Sequence, residues 1–198
     1  MFTGIIQEAG KFKEKASRGR KTLFTFETSQ KFMREVKTCE SISVEGVCLT
    51  VAARGRRAFS AELIPETLAS TTLGSLRAGK SIVNLEKALH LGDSLGGHFV
   101  SGHVDEKGQI AALEHPGGNG LLRIRPEGSF LKQLVSKGSV AVDGISLTVQ
   151  KIAPTTFDAG IIPHTWASTS PKHKKKGDAA NLEADLLYKY VRQALVSG

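Results

Sequence analysis

The sequence predicts an all-β protein made of two tandem units of one fold, closed by a single C-terminal α-helix. Three observations carry that expectation. The chain repeats itself at one fixed offset, each copy consists of short β-type runs between turn signals, and helical periodicity is confined to the tail.

The repeat decides the architecture. SISVEGVCLTV (41–51) recurs as SVAVDGISLTV (139–149) with six of eleven positions identical. FSAELIPETLAST (59–71) recurs as FDAGIIPHTWAST (157–169) with eight of thirteen identical. Both pairs are displaced by 98 residues, and the same displacement lays TGIIQEAG (3–10) on SGHVDEKG (101–108). VNLE (83–86) meets ANLE (180–183) after a one-residue deletion. Agreement at one offset over most of both halves marks a tandem duplication with its boundary near Gly96 to Phe99. The expected units are 1–97 and 98–185, followed by a tail segment, 186–198.

Within each unit, short runs rich in Val, Ile, Phe and Thr are broken by Gly, Pro and charged turns, which is strand rhythm. Glu45-Gly46 and Asp143-Gly144 are hairpin signals, because glycine accepts the positive φ of tight two-residue turns. Many short strands with few helical patterns predict a small closed barrel or sandwich for each unit. After each turn, period-2 alternation gives the strand two faces. Val47, Leu49 and Val51 share a core face, as do Ile145, Leu147 and Val149. Cys48 and Thr50 face the other way, as do Ser146 and Thr148. In the tail, Leu187, Tyr190, Val191 and Ala194 fall at helical spacing, so 183–198 reads as one amphipathic helix that packs across the barrels or joins subunits.

Composition narrows the class. The chain has 198 residues with 40% hydrophobic and 23% charged, which is ordinary globular usage rather than disorder. No apolar run approaches the ~20 residues of a membrane helix, and no signal peptide is visible, so a cytoplasmic protein with reduced Cys39 and Cys48 is expected. The net charge of +8 comes from short clusters at 18–21, 54–57 and 172–176, which read as solvated loops. A nucleic-acid-binding barrel would need aromatics along a strand face for base stacking. With one Trp and two Tyr, none is expected.

Chemistry is sought where the two copies disagree. Duplicated folds keep their cores alike, so polar differences at equivalent positions suggest one reaction run by two unequal halves. Ile5 corresponds to His103, Glu66 to His164, Cys39 to Lys137 and Cys48 to Ser146. His98 and His103 lie five apart, and on a strand that spacing puts them on opposite faces, unable to chelate one ion. No CxxC or HExxH pattern is present, so no metal is expected, and without GxGxxG or a P-loop, dinucleotide and nucleotide-phosphate binding lack support. His103, with Ser101 and Phe99 on its face of such a strand, suits acid–base work near neutral pH.

MFTGII at the start, the paired GVCLTV and GISLTV strands, GGHFVSGHVD and IIPHT occur in order and within the duplication. Together they resemble riboflavin synthases over essentially the whole chain. The resemblance implies two six-stranded Greek-key β-barrels, a homotrimer, no cofactor and no metal. It also implies a dismutation of two 6,7-dimethyl-8-ribityllumazine molecules, one giving a four-carbon unit to the other, to yield riboflavin and 5-amino-6-ribitylamino-uracil. The productive pair in that family lies between the first barrel of one subunit and the second barrel of a neighbour. An association with lumazine synthase, the preceding enzyme, is left open.

Residue by residue, the resemblance assigns lumazine contacts in the first barrel to Gly4, Ile5 and Ile6, and to Cys48, Leu49 and Thr50. The third segment there is Glu62, Leu63, Ile64, Pro65, Glu66 and Thr67. In the second barrel it assigns Gly102, His103 and Val104, with Lys137, and Ser146, Leu147 and Thr148. Gly160, Ile161, Ile162, Pro163, His164 and Thr165 complete that set. Positions matching residues associated with activity are Phe2, Cys48, His103, Asp143, Ser146 and Thr148. The reaction needs a proton removed from an acidic ring methyl and a nucleophile added to a ring carbon. His103, Ser146 and Thr148 are candidates for a proton relay, and Cys48 or a water for the nucleophile. Trp166 and the basic segment 170–180 depart from the family pattern. The rival reading is a non-catalytic lumazine or flavin antenna protein of luminous bacteria, which keeps the fold but erodes the second-barrel polar residues retained here.

Overall fold

Two left-handed turns set the frame of both halves. The computed structural model describes residues 1–18, 21–115 and 117–196. Gly19 and Arg20 of the first basic cluster lie outside the described residues, as do the last two residues of the tail. At Glu45-Gly46 φ is +49° and +78°, and at Asp143-Gly144 it is +48° and +79°. Such a pair joins two strands tightly while matching their twist.

The first half comprises β1 (Glu8–Arg18), β2 (Lys21–Glu27), β3 (Ser41–Val44), β4 (Val47–Arg54), β5 (Ala58–Leu63) and β6 (Ile82–Lys87). They close into an antiparallel barrel in the order β1-β2-β5-β4-β3-β6. The second half comprises β7 (Glu106–Glu114), β8 (Gly120–Pro126), β9 (Ser139–Val142), β10 (Ile145–Ile152), β11 (Phe157–Ile161) and β12 (Ala179–Ala184). Its ring, β7-β8-β11-β10-β9-β12, is the same Greek key, and closure leaves neither barrel an open edge. Irregularities repeat as well. Bulges interrupt β1 at Phe12/Glu14 and β7 at Ile110/Ala112, then β4 at Val51/Ala53 and β10 at Val149/Lys151.

Alternation sorts the faces as the sequence predicts. Val47, Leu49 and Val51 are buried while Thr50 is exposed and Cys48 half-buried, and β10 repeats this with Ile145, Leu147, Val149, Thr148 and Ser146. The first core is aromatic, with Phe12 and Phe24 centroids 4.8 Å apart and Phe26 and Phe59 5.3 Å apart. The second is mainly aliphatic around Phe130 and Phe157. Burying each such side chain contributes roughly 1.5–3 kcal/mol.

Helix content exceeds the expectation. α1 (Gln30–Met33) is a single turn, and the repeated Ile-Pro step opens α2 (Pro65–Ser70) and α3 (Pro163–Ser168). Proline fits the first helical position because its missing N–H would have no partner there. α4 (Leu186–Val196) is the predicted tail helix. It is tethered by Tyr188 Oη, which donates to the Lys132 carbonyl at 2.7 Å, and by a 2.7 Å Lys189–Asp105 ion pair. Leu187, Tyr190, Val191 and Ala194 are exposed, Tyr190 by 70%. Leu187, Val191 and Leu195 form one wall of an open groove of about 450 Å³ whose other wall is Gln133, Val135, Gly138 and Ser139 of the second unit.

Where the barrels meet, Asn84 and Asn181 trade places. Asn84 Oδ1 accepts from the Ser170 amide at 2.7 Å, and its Nδ2 donates to the Asp143 carbonyl at 2.9 Å. Asn181 mirrors this with the Thr72 amide and the Glu45 carbonyl, at 2.7 and 2.8 Å. Lys174 stands between the twin carboxylates, 3.1 Å from Glu45 and 2.6 Å from Asp143. Burial pushes the Glu45 carboxyl up to about 7, and the two carboxylates hold Lys174 above the ordinary lysine range. The 172–176 cluster is thus not wholly a solvated loop, because its central lysine bridges two buried carboxyl groups.

Candidate active site

A carboxylate at the end of β6 organises the first of two matching arms. The Thr3 amide and hydroxyl both donate to one Glu86 oxygen at 2.7 Å, and the Gly4 amide donates to the other at 3.0 Å. Glu183, at the same place on β12, receives the Ser101 amide and hydroxyl at 2.6 and 2.7 Å and the Gly102 amide at 3.0 Å. Burial raises both carboxyls above the ordinary glutamate range, opposed by the hydrogen bonds they accept. The arms run together at Phe2 and Val100, which exchange backbone hydrogen bonds of 2.7 and 3.1 Å.

Each arm serves the other barrel. The Gly4 carbonyl accepts from the Ser146 amide at 2.8 Å, and the Gly102 carbonyl accepts from the Cys48 amide at 2.9 Å. Both glycines have positive φ, +75° and +81°. A Cβ on Gly4 would stand 2.6 Å from Ser146 Cβ, and one on Gly102 2.6 Å from Cys48 Cβ. Only glycine meets both demands. Ile6 packs on the second core and Val104 on the first.

This exchange corrects the grouping expected from sequence order. Gly4, Ile5 and Ile6 lie with Ser146, not with Cys48, and Gly102, His103 and Val104 lie with Cys48. Within one chain His103 does not join Ser146 and Thr148 in a relay, because its arm crosses to the opposite cup. Residues 98–105 also form no strand, only an isolated bridge at Val100, so face-counting from His98 to His103 does not apply. His103 is exposed, whereas His98 is buried with Nδ1 2.7 Å from Ser146 Oγ. Among the described residues, no group of three or more His, Cys, Asp or Glu is arranged to hold a metal ion.

The first cup is a cavity of about 370 Å³ lined by Cys48, Leu49, Thr50, Glu62, Ile64 and Thr67, with Cys39, Val51 and Ala52. Two predicted stretches, 48–50 and 62–67, thus converge there; Leu63 is buried in the barrel core, while Pro65 and Glu66 are exposed at the start of α2. Cys39, not predicted as a contact, enters through a φ of +69°. Its repeat partner Lys137 has the same left-handed backbone, φ +66°, and is exposed beside β10. In the second cup Gly160 lies under Gln150, and a Cβ on it would stand 2.3 Å from Gln150 Nε2. Ile161 is buried, Thr165 half-buried, and Ile162, Pro163 and His164 are exposed. Trp166 stacks on His115 at 4.5 Å and 12° and packs against the second core. Phe2 and Asp143 lie elsewhere. Phe2 is fully buried with Val100 and Ala141, and Asp143 belongs to the inter-barrel ion triad.

Twin barrels with exchanged arms define a duplicated ligand-binding-barrel protein. The lumazine binding domain family matches residues 3–88 and again 101–185. The chain is similar to riboflavin synthase of Actinobacillus pleuropneumoniae, 39% identical over 196 residues, covering 99% of this chain and 90% of that one. It is 38% identical to riboflavin synthase of Bacillus subtilis over 195 residues, covering 98% and 90%. Among solved structures, LumP complexed with riboflavin superposes with a TM-score of 0.86 at 20% identity, covering 93% of this chain and 99% of that one. LumP complexed with 6,7-dimethyl-8-(1'-D-ribityl) lumazine gives 0.83 at 18% identity, with the same coverage. The chain belongs to the riboflavin synthase family.

Proposed function

We propose that this protein catalyses the dismutation of two 6,7-dimethyl-8-ribityllumazine molecules to riboflavin and 5-amino-6-ribitylamino-uracil. The observation that carries the reading is the pair of equivalent cups, each a polar strand face under an arm from the other copy. A reaction between two molecules of one compound needs two like sites presenting them in opposed roles. Near-full-length identity with riboflavin synthases supports the same reaction. Both cups keep their polar strand residues, Cys48 and Thr50 in one and Ser146 and Thr148 in the other, which favours catalysis over an antenna role.

On this reading the units are 1–97, 98–185 and the tail segment 186–198, which carries α4, with arms crossing between the first two. The assigned lumazine contacts are the segments around Cys48, Glu62, Ser146 and Gly160, with Lys137 and the arm residues 4–6 and 102–104. One lumazine loses a ring-methyl proton and the other accepts a nucleophile, with Cys48, His103, Ser146 and Thr148 as the candidate groups. Holding two reactants in register can itself supply roughly 7–11 kcal/mol of the barrier. The exposed stripe of α4 supports a homotrimer in which the first cup of one subunit meets the second cup of a neighbour. Two free cysteines, both lining the first cup, suit a reducing cytoplasm. Truncation before Leu186 is expected to leave both barrels folded by circular dichroism while the assembly sediments as smaller species and turnover falls.

The deciding experiment mixes the purified protein with the lumazine in EDTA and without added cofactor. Riboflavin forming at one per two lumazines consumed supports the reading. Binding without turnover would return the protein to the antenna class.

A further inference from the structure

Ser146 has a partner that its repeat counterpart lacks. His98 Nδ1 lies 2.7 Å from Ser146 Oγ, and the residue is only 7% exposed. Its backbone is held in place, since its amide donates to the Thr3 carbonyl at 3.1 Å. The preceding Gly97 leaves no room to shift, because a Cβ there would stand 2.9 Å from Ser146 Cβ. Among the described residues Cys48 has no comparable side-chain partner.

The ring's protonation follows from its surroundings. Burial lowers the His98 pKa, so the imidazole is neutral near pH 7 and carries one N–H. Nε2 is buried with no partner among the described residues. A hydrogen on Nε2 would be a buried donor without an acceptor, and orphaned buried N–H groups are rarer than under-satisfied acceptors. The hydrogen therefore sits on Nδ1 and is donated to Ser146 Oγ. The hydroxyl, once it accepts from the ring, directs its own O–H elsewhere, and strand alternation turns Ser146 away from the barrel core.

We propose that His98 is a positioning residue, which by donating to Ser146 Oγ makes that hydroxyl a hydrogen-bond donor to the lumazine in the second cup. This rests on the riboflavin synthase reading and gives one cup a device the other does not have. When the ring-methyl C–H bond breaks, its proton passes to the reaction's base and its electron pair spreads over the ring heteroatoms. A hydroxyl already aimed as a donor stabilises that charge without having to reorient and without giving up its proton.

The test uses full-length wild type, His98→Ala, His98→Asn, Ser146→Ala and the His98→Ala/Ser146→Ala double variant. Two quantities are read, the kcat and KM for riboflavin formation and the exchange of lumazine methyl protons in deuterated buffer by NMR. His98→Ala is expected to lower kcat about tenfold or more, the size of a lost hydrogen bond to a charged group, with KM changed less than about threefold. Methyl exchange should slow in parallel. His98→Asn offers a side-chain amide near the Nδ1 position, so it should recover several-fold over His98→Ala. The double variant should be no slower than Ser146→Ala alone. Losses that multiply in the double variant, or an unchanged kcat and exchange rate in His98→Ala, would overturn the proposal. If His98→Ala does not fold, His98→Asn paired with Ser146→Ala completes the same cycle, and a loss in His98→Asn as large as that in Ser146→Ala overturns it. If wild type exchanges methyl protons yet forms no riboflavin, the riboflavin synthase reading fails, while exchange in the variants still tests His98.

Discussion

At the β4 bulge of the first barrel stands Ala52, with Glu62 lining the same cavity; at the β10 bulge of the second stands Gln150, lying over Gly160. Small and large have changed places between the copies. Leu68, packed against the first core, becomes Trp166 stacked on His115, and the strand thiol Cys48 becomes the hydroxyl of Ser146 with a histidine behind it. The turns, bulges and arm clamps recur at equivalent positions, whereas the side chains around each cup do not. Equal frames with unequal linings are what a reaction between two identical molecules requires, because the frame sets the relative pose and the lining sets who gives and who receives.

The most severe way to break the comparison is at the arm glycines. Gly102→Ala should disable the Cys48 cup and Gly4→Ala the Ser146 cup, since each adds a Cβ 2.6 Å from a strand side chain at a positive φ. Displacing an arm by about 1 Å can cost 10²-fold in rate, so turnover in either variant should fall by about that factor or more. Steady-state rates, with lumazine titration to show which cup is lost, check this.

A gentler break exchanges the reacting groups. Cys48→Ser and Ser146→Ala should each cost no more than about 1 kcal/mol of stability, because both side chains face away from the core. Urea titration measures that cost. Turnover should fall by unequal factors, since thiol and hydroxyl are not interchangeable, while ligand affinity survives better through the backbone groups of the arms. Unchanged rates in both would mark these positions as a merely solvated face.

The smallest effect sharpens the comparison through pH. The unfolded chain protonates His98 near its ordinary 6.5, while the buried ring resists protonation. Its contribution to stability is therefore present above pH 6.5 and is lost as pH falls through the lower native value, by at most about 1.4 kcal/mol per pH unit. The buried Glu86 and Glu183 act oppositely. Their raised carboxyls favour the fold most below 4.5, and that contribution is lost as pH rises through the native values. Comparing urea midpoints of wild type and His98→Asn at pH 7.5 and 5.5 isolates the histidine. Wild type should lose ground to the variant on acidification.

Period-2 alternation assigned the faces of β4 and β10 because each of these strands alternates between one core and one outer face, and the 98-residue offset exposed the duplication. Even the clamps left a trace, since Asn84 and Glu86 recur as Asn181 and Glu183 in otherwise apolar strand ends. Identical polar residues in two cores need a shared job, and here the job is to hold an arm and to cross the barrel interface. What local pattern does not carry is which barrel an arm serves. Residues 98–105 look extended, but the chain there pairs with residues 2–3 and crosses to the opposite cup, so His98 reaches Ser146 and His103 does not. Lys174 was equally hidden, because within a basic run nothing distinguishes the one lysine that meets two buried carboxylates. Asp143 and Phe2, expected among the activity-linked positions, instead stand at the seam between the barrels, Phe2 packed on Val100 and Ala141 and Asp143 paired with Lys174.

The claim that one Cys48 cup must work with one Ser146 cup is tested most directly by complementation. Thr50→Trp fills the first cup and Thr148→Trp the second, at exposed strand positions that leave the cores untouched. Each variant alone should be inactive. Co-expressed, they should form mixed assemblies in which an intact first cup meets a neighbour's intact second cup, and riboflavin formation should reappear. Activity in either variant alone, or none in the mixed assemblies, would contradict the pairing of unequal cups across subunits.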